Sequence, residues 1–276
     1  MIALQPSERT FVTDYIREIS GISLDDSKGY LIEGRLSSLA EQYGCRDYRT
    51  LISRARSESC RTLERRMIDA ITTNETLFFR DSAPFELLRH KIVPDLIDRQ
   101  RRQGKLRIRI WSAACSTGQE IYSLAILLKE LLGEPDRYGV SILGTDISDA
   151  AIARASKGIF SQVEIARGLP AATRAKYFAS RDGNNWQIRD ELRAFASFKR
   201  MNLTEDFAAL GKFDIILCRN VAIYFGDSDR RMLFSRIHRA LENGAYLMVG
   251  AMESLAGMPQ FESKSYLRSV YYQAKM

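Results

Sequence analysis

The chain of 276 residues holds only two histidines, His90 and His238, and four scattered cysteines, Cys45, Cys60, Cys115 and Cys218, with no C-x-x-C pair. That scarcity argues against a zinc site and a disulfide framework, so no bound metal is expected and the thiols read as reduced. No run of about 18 apolar residues free of charge occurs, which argues against membrane insertion. The segment MIALQPSERTF lacks a basic start followed by an apolar run, so no secretory signal is expected and the chain reads as cytoplasmic. Internal repeats and low-complexity segments are missing too. What is present is 45% hydrophobic residues, enough to bury a real core in one large domain or two modest ones.

Charge is uneven within a net +7. Residues 1–44 carry four basic and seven acidic side chains, whereas residues 45–66 carry seven basic (Arg46, Arg49, Arg54, Arg56, Arg61, Arg65, Arg66) against three acidic. Residues 84–110 carry eight basic against three acidic. Two basic zones imply an acidic partner, nucleic acid or an acidic protein surface, although each zone alone also fits a solvated helix face.

The first 73 residues show helical spacing and no strand signal. Ser7 is expected to cap a helix with Phe11, Tyr15, Ile16 and Ile19 on one face, ended by Gly21. A second helix is expected from about Asp26 to Tyr43, a third short one behind Asp47, and a fourth with Leu63, Met67 and Ile71 as its stripe. These make a small helical bundle. A further helix, capped by Ser82 with Pro84 in its first turn, leads on, and Pro94 should kink or interrupt it. Beyond Leu106, strands at about 106–112, 139–145, 195–200, 213–218, 245–250 and 269–274 alternate with helical segments. That pattern predicts an α/β fold, a doubly wound, mostly parallel Rossmann-like sheet. Residues 161–193 interrupt the rhythm with a short helix near 170–178 and a turn at 183–185, a hairpin-bearing β insertion at the sheet's edge.

The loop after the first strand is Ser112-Ala113-Ala114-Cys115-Ser116-Thr117-Gly118. With one glycine it is no G-x-G-x-x-G loop, and no G-K-[ST] follows, so the signatures that cradle phosphates are missing. A nucleoside cofactor without phosphates fits better, and S-adenosylmethionine is one. Backbone at Ala113 to Cys115 can approach its amino-acid tail, Glu120 can meet its ammonium, and Asp146, at the tip of the second strand, can accept both ribose hydroxyls. The plainer readings are a first-turn helix carboxylate for Glu120 and a helix cap for Asp146.

Three further stretches bear on the choice: TTNETLFFRD at 72–81, MNL at 201–203 and LCRNVAIYF at 217–225. With the loop above they resemble the chemoreceptor glutamate methyltransferase family, the CheR type. The family pattern T-N-E-T-x-F-F-R is matched from Thr73 to Arg80, W-S-A-A-C-S-x-G-x-E from Trp111 to Glu120, and C-R-N-V-x-I-Y-F from Cys218 to Phe225. The closing G-x-x-E-S-L segment is matched from Gly250 to Leu255. Departures stand at Gln119 and Ile121, at Glu242-Asn243-Gly244, and at Ala251-Met252.

The resemblance implies a helical receptor-docking domain at 1–73 and an S-adenosylmethionine-dependent methyltransferase domain at 74–276. It implies methyl transfer to glutamate carboxylates of chemoreceptor cytoplasmic helices, giving methyl esters that set adaptation. Arg80 and Tyr224 would lie near the substrate carboxylate. Asn74, Thr76 and Arg80 would line the methionine end of the cofactor, Asn202 and Leu203 would flank the adenine with the Asn202 amide offered to its edge, and Arg219 and Asn220 would close the pocket. The basic zone from Arg46 to Arg66 would meet the acidic receptor bundle. The short insertion suggests work without a C-terminal receptor tether.

Two other function classes share parts of this pattern. A nucleic-acid methyltransferase would suit a pI of 9.3, but Arg219-Asn220-Val221-Ala222 stands where N-P-P-Y would fall, so no nucleic-acid partner is expected. A non-catalytic cofactor-binding scaffold is opposed by the complete set Arg80, Glu120, Asp146, Asn220 and Tyr224.

Overall fold

The computed structural model describes residues 2–25, 28–267 and 269–275. The first part is a bundle of α1 (Pro6–Ser20), α2 (Gly29–Gln42), α3 (Tyr48–Ser57) and α4 (Thr62–Ile71). Each helix turns an apolar stripe inward, and Val12, Ile16, Ile32, Leu36, Leu51 and Leu63 meet in one core. Gly21 ends α1 in the left-handed region at φ 77°, and Asp47 caps α3 by accepting from Thr50 N at 2.7 Å.

Two expected caps are corrected. Pro6 opens α1, so Ser7 lies inside the helix and Gln5 holds the cap position without a side-chain bond. A proline preset near helical φ starts the helix before the serine can cap it. Ser82 is the first residue of α5 (Ser82–Leu87), and Asp81 precedes it at φ 55°. The expected helix start at Asp26 falls outside the described residues. The interruption expected at Pro94 is a π-helical turn, Leu88–Ile92, between α5 and α6 (Val93–Arg102). It sits just ahead of the ring that cannot donate a hydrogen bond.

The remainder runs β1 (Arg109–Ala113), α7 (Gln119–Leu132), β2 (Ser141–Asp146), α8 (Asp149–Lys157), β3 (Ile159–Ser161), α9 (Gln162–Ala166), α10 (Ala171–Tyr177), β4 (Phe178–Ser180), β5 (Asn185–Ile188), α11 (Asp190–Arg193), β6 (Ala196–Arg200), β7 (Phe213–Cys218), α12 (Asp227–Ala240), β8 (Leu241–Val249), β9 (Phe261–Tyr266) and β10 (Ser269–Ala274). Seven strands form one sheet in the order β6-β2-β1-β7-β8-β10-β9. It is parallel from β6 to β8, and antiparallel where β10 slots between β8 and β9. The doubly wound α/β architecture is therefore present. Successive β1 residues serve its two faces: Ile110 joins Ile121, Leu124 and Ile142 on one, and Trp111 joins Phe213, Ile216 and Leu233 on the other.

Strand β9 was not anticipated. The insertion is a separate antiparallel sheet, β3-β5-β4, that opens at Ile159. Phe78 ties the linker after the bundle to it, meeting the rings of Phe160 and Phe178 edge-on at 4.9 and 5.5 Å. Gly168 packs so closely on this linker that a Cβ there would lie 2.0 Å from the Phe78 carbonyl oxygen.

Candidate active site

β2 and β7 flank β1 on opposite sides, so the winding of the sheet reverses beside β1. The loops after β1 and β7 part there and open a crevice at the carboxyl ends of the strands. A cleft of about 180 Å³ lies between these ends and the helical bundle. Residues 114–116, the linker at 73–76 and the α1–α2 segment at 22–24 are among its walls. Among the described residues seven non-glycine positions have positive φ, and five adjoin this region: Phe79, Asp81, Ala114, Ser116 and Asn220, at 50°, 55°, 62°, 51° and 57°. Backbone strain is thus concentrated where ligand-facing groups must be aimed.

Asp146 ends β2 with only 6% of its surface exposed. Its Oδ2 accepts from Ser116 N at 2.8 Å and its Oδ1 from Ser148 N at 3.0 Å. Burial pushes its pKa up, against the pull of these backbone donors. Asp146 does not cap α8. Ser148 does, accepting from Ala151 N at 3.0 Å while donating to Asp69 Oδ1 of α4 at 2.7 Å.

Glu120, in the first turn of α7, accepts from Ser112 Oγ at 2.7 Å and from Arg219 Nη1 at 2.9 Å. Arg219 also bonds Asp81 Oδ2 at 3.0 Å and the Arg80 carbonyl at 2.9 Å through Nη2. Its Nε is buried without an acceptor among the described residues. One guanidinium therefore fixes α7, the linker and the end of β7 together, with a donor unspent.

Arg80 lines the cleft and donates to the Glu75 carbonyl at 3.0 Å. It forms no ion pair with Asp81 or Glu75, and the Glu75 carboxylate lies 3.8 Å from Arg167 instead. Its charge is free of carboxylates within the described residues. Asn74, whose carbonyl accepts from Ser116 Oγ at 3.0 Å, lines the same cleft with Thr76, Leu203, Asn220 and Tyr224. Burial pushes the Cys115 thiol well up, with the Asp146 charge adding to the effect, so it is no nucleophile here.

One expectation needs correction and another is narrowed. Ala113 is buried in β1 among the core residues, and Ala114 takes its place in the wall. Asn202 lines the cleft, but its amide is partly engaged: one N–H donates to the Ile19 carbonyl at 3.0 Å and its oxygen accepts from Thr204 N at 3.0 Å. It clamps the end of α1 to the sheet.

Other residues were missed. Arg35 of α2 reaches the Ile71 carbonyl at 2.5 Å and Thr73 Oγ1 at 3.0 Å, and lines the cleft. Glu253, within the G-x-x-E-S-L segment, holds the turn after β7. The basic zone also divides. Arg56, Arg61 and Arg65 have carboxylates at 2.7, 3.6 and 3.9 Å, on Glu18, Glu64 and Asp149. Arg54 and Arg66 flank the Tyr43 ring, 5.1 and 5.2 Å from its centroid, with no carboxylate partner among the described residues.

Comparison with known proteins follows the same division of the chain. Residues 8–72 match the family described as CheR methyltransferase, all-alpha domain, and residues 74–270 match CheR methyltransferase, SAM binding domain. The chain is 37% identical over 266 residues to Chemotaxis protein methyltransferase Cher2 of Pseudomonas putida, covering 95% of each. Chemotaxis protein methyltransferase 1 of Pseudomonas aeruginosa is likewise 37% identical over 266 residues, with 95% of each covered. The protein of that name from Vibrio cholerae is 37% identical over 248 residues, 88% of each.

Proposed function

This chain belongs to the CheR methyltransferase family, and from that premise we propose how its cleft transfers a methyl group to receptor glutamates. The protein is an S-adenosylmethionine-dependent methyltransferase of chemotaxis. Its substrates are chemoreceptors, and the product is a glutamate methyl ester.

The observation that carries the residue assignment is the polar set of one cleft: a buried carboxylate at Asp146, one at Glu120 oriented by Arg219, and unspent guanidinium donors on Arg80. Such a set suits a molecule with a diol, an ammonium and a carboxylate. Asp146 would hold the ribose hydroxyls, Glu120 the ammonium and Arg80 the tail carboxylate, with Arg219 closing the pocket behind Glu120. Asn74, Thr76, Leu203 and Asn220 would complete the walls. When bound, S-adenosylmethionine supplies an electrophilic methyl group on a sulfonium.

A glutamate side chain has a pKa of about 4.3 and arrives ionised at neutral pH, so the chain needs no general base. Its residues instead align the carboxylate and exclude water. Arg80 would hold one oxygen of the glutamate carboxylate and leave the other free to attack, and Tyr224 would fix the approach. Arg80 must not bind the ground state more strongly than the transition state, because only differential binding speeds the step.

The basic strip around Arg54 and Arg66 supports docking on an acidic helical bundle. The small insertion pairs β4 with β5 over three residue pairs, which supports work without a receptor tether peptide. The test is incubation with methyl-labelled S-adenosylmethionine and receptor-containing membranes. Label released as methanol by mild alkali is expected, whereas label that survives alkali sinks the assignment to glutamate.

A further inference from the structure

After Cys218 the chain turns through Asn220, at φ 57°, into a 3-10 turn, Ala222–Tyr224. This turn carries Asn220 and Tyr224 into the cleft. Its leading amides bond to one side chain from a loop more than thirty residues later. Glu253 Oε2 accepts from Asn220 N at 2.8 Å, and Oε1 accepts from Val221 N at 3.1 Å and Ala222 N at 2.8 Å. A fourth amide, Gly250 N, donates to Oε2 at 2.6 Å. Among the described residues no Lys, Arg or His pairs with this carboxylate, so four backbone dipoles hold its charge.

The fit leaves no slack. A Cβ at Gly250 would lie 2.7 Å from Glu253 Oε2 and 2.9 Å from Asn220 N. Arg219, one residue before the turn, is anchored from the opposite side by Glu120 and Asp81. The two ends of the segment therefore have independent anchors. Removing Glu253 should loosen residues 220–222, which lead into Tyr224, and leave in place both Arg219 and the bond from Ser23 N to the Tyr224 carbonyl.

We propose that Glu253 is a positioning residue for methyl transfer: it fixes the turn that aims Tyr224 and Asn220, and touches neither cofactor nor substrate. The inference rests on the assignment of Tyr224 to the substrate carboxylate made above. Glu253→Gln is the informative variant, because its NH2 group faces amides that need an acceptor while size is conserved. Expected are a fall in kcat of roughly 10- to 100-fold at saturating substrates, a smaller loss of S-adenosylhomocysteine affinity, and faster amide exchange confined to Gly250 and residues 220–222. Combined with Tyr224→Phe, the second substitution should cost little once the first is made, since both act through one ring.

Unchanged exchange at 220–222, or losses that simply add in the double variant, overturns the proposal. If Glu253→Gln does not fold, Glu253→Asp carries the same comparison with the charge retained and the reach shortened, and intermediate exchange and kcat are expected. A wild-type protein that forms no methyl ester would sink the enzymatic reading, while the exchange arm would still judge the role of Glu253 in the turn.

Discussion

Arg219 donates to Glu120 across 2.9 Å with only 2% of its own side chain exposed, and the two residues lie 99 positions apart. The carboxylate assigned to the cofactor's ammonium is therefore held by a buried cation. That cation keeps the Glu120 side chain pointed, and its spare Nε faces no protein acceptor among the described residues.

Breaking this pair should be costly. Arg219→Ala leaves Glu120, 14% exposed, without its cation, and removal of one partner of a buried pair costs about 3–5 kcal/mol. Urea unfolding should show that loss, with little of it due to the half-exposed Asp81. Arg219→Lys should fold better yet bind S-adenosylhomocysteine more weakly than wild type, because an ammonium cannot span Glu120 and Asp81 as a fork does. Equal affinity in wild type and Arg219→Lys would contradict the role given to the fork.

Gly21 ties the bundle to the same cleft. A Cβ at this φ 77° position would lie 2.5 Å from Phe225 Cε1 and 2.6 Å from Thr204 Cγ2. Ser23 N next to it donates to the Tyr224 carbonyl at 2.8 Å. Gly21→Ala should therefore lower thermal stability by about 1–3 kcal/mol and weaken S-adenosylhomocysteine binding in titration calorimetry. A variant with reduced stability and unaltered affinity would mean that the α1–α2 segment is not part of the cofactor pocket.

Much of the sheet was legible because parallel strands buried on both faces read as apolar runs, as in Phe213–Cys218. β9 was not, since Phe261 is its only buried residue and the rest of FESKSY alternates too weakly. β3 and β4, of three residues each, are too short for any periodicity. In the site, residue types and order were readable, but partners were not. Asn202 presented an amide of the right kind, and only the fold brings Ile19 from 183 positions away to take one of its N–H donors. Glu253 lay in a quoted motif, yet its four donors come from backbone, which carries no sequence signal.

Asp146 predicts a pH dependence. Burial raises its pKa above the ordinary aspartate value of about 3.9. The folded chain then binds this proton more readily than the unfolded one, so the group's contribution to stability falls as pH rises from 3.9 through the native pKa. Ribose hydroxyls donate to the ionised form, so cofactor affinity has the opposite sign: it grows as pH rises through the native pKa. S-adenosylhomocysteine affinity should start to weaken on acidification above the ordinary aspartate range, approaching about tenfold per pH unit below the native pKa. Asp146→Asn should bind weakly at every pH. Wild-type affinity that stays level down to pH 4 would remove Asp146 from the ribose site.

The last prediction separates docking from catalysis. Arg61 spends part of its charge on Glu64, and Arg65 faces Asp149 of α8, so reversing them disturbs local pairs as well as any receptor contact. Arg54 and Arg66 are different: they stack on Tyr43 and donate to the Tyr43 carbonyl at 2.7 Å and the Gln42 side chain at 2.7 Å, with no acidic partner among the described residues. The double variant Arg54→Glu with Arg66→Glu should raise KM for receptor roughly tenfold, as expected of rim charges that steer association. Affinity for S-adenosylhomocysteine and kcat at saturating receptor should hold, and Arg61→Glu alone should do less. Wild-type kcat/KM should also fall with added salt, since exposed charges are screened over about 8–10 Å at physiological ionic strength, and the double variant should lose most of that salt dependence. Receptor kinetics indifferent to both the substitutions and salt would move the docking surface away from this strip.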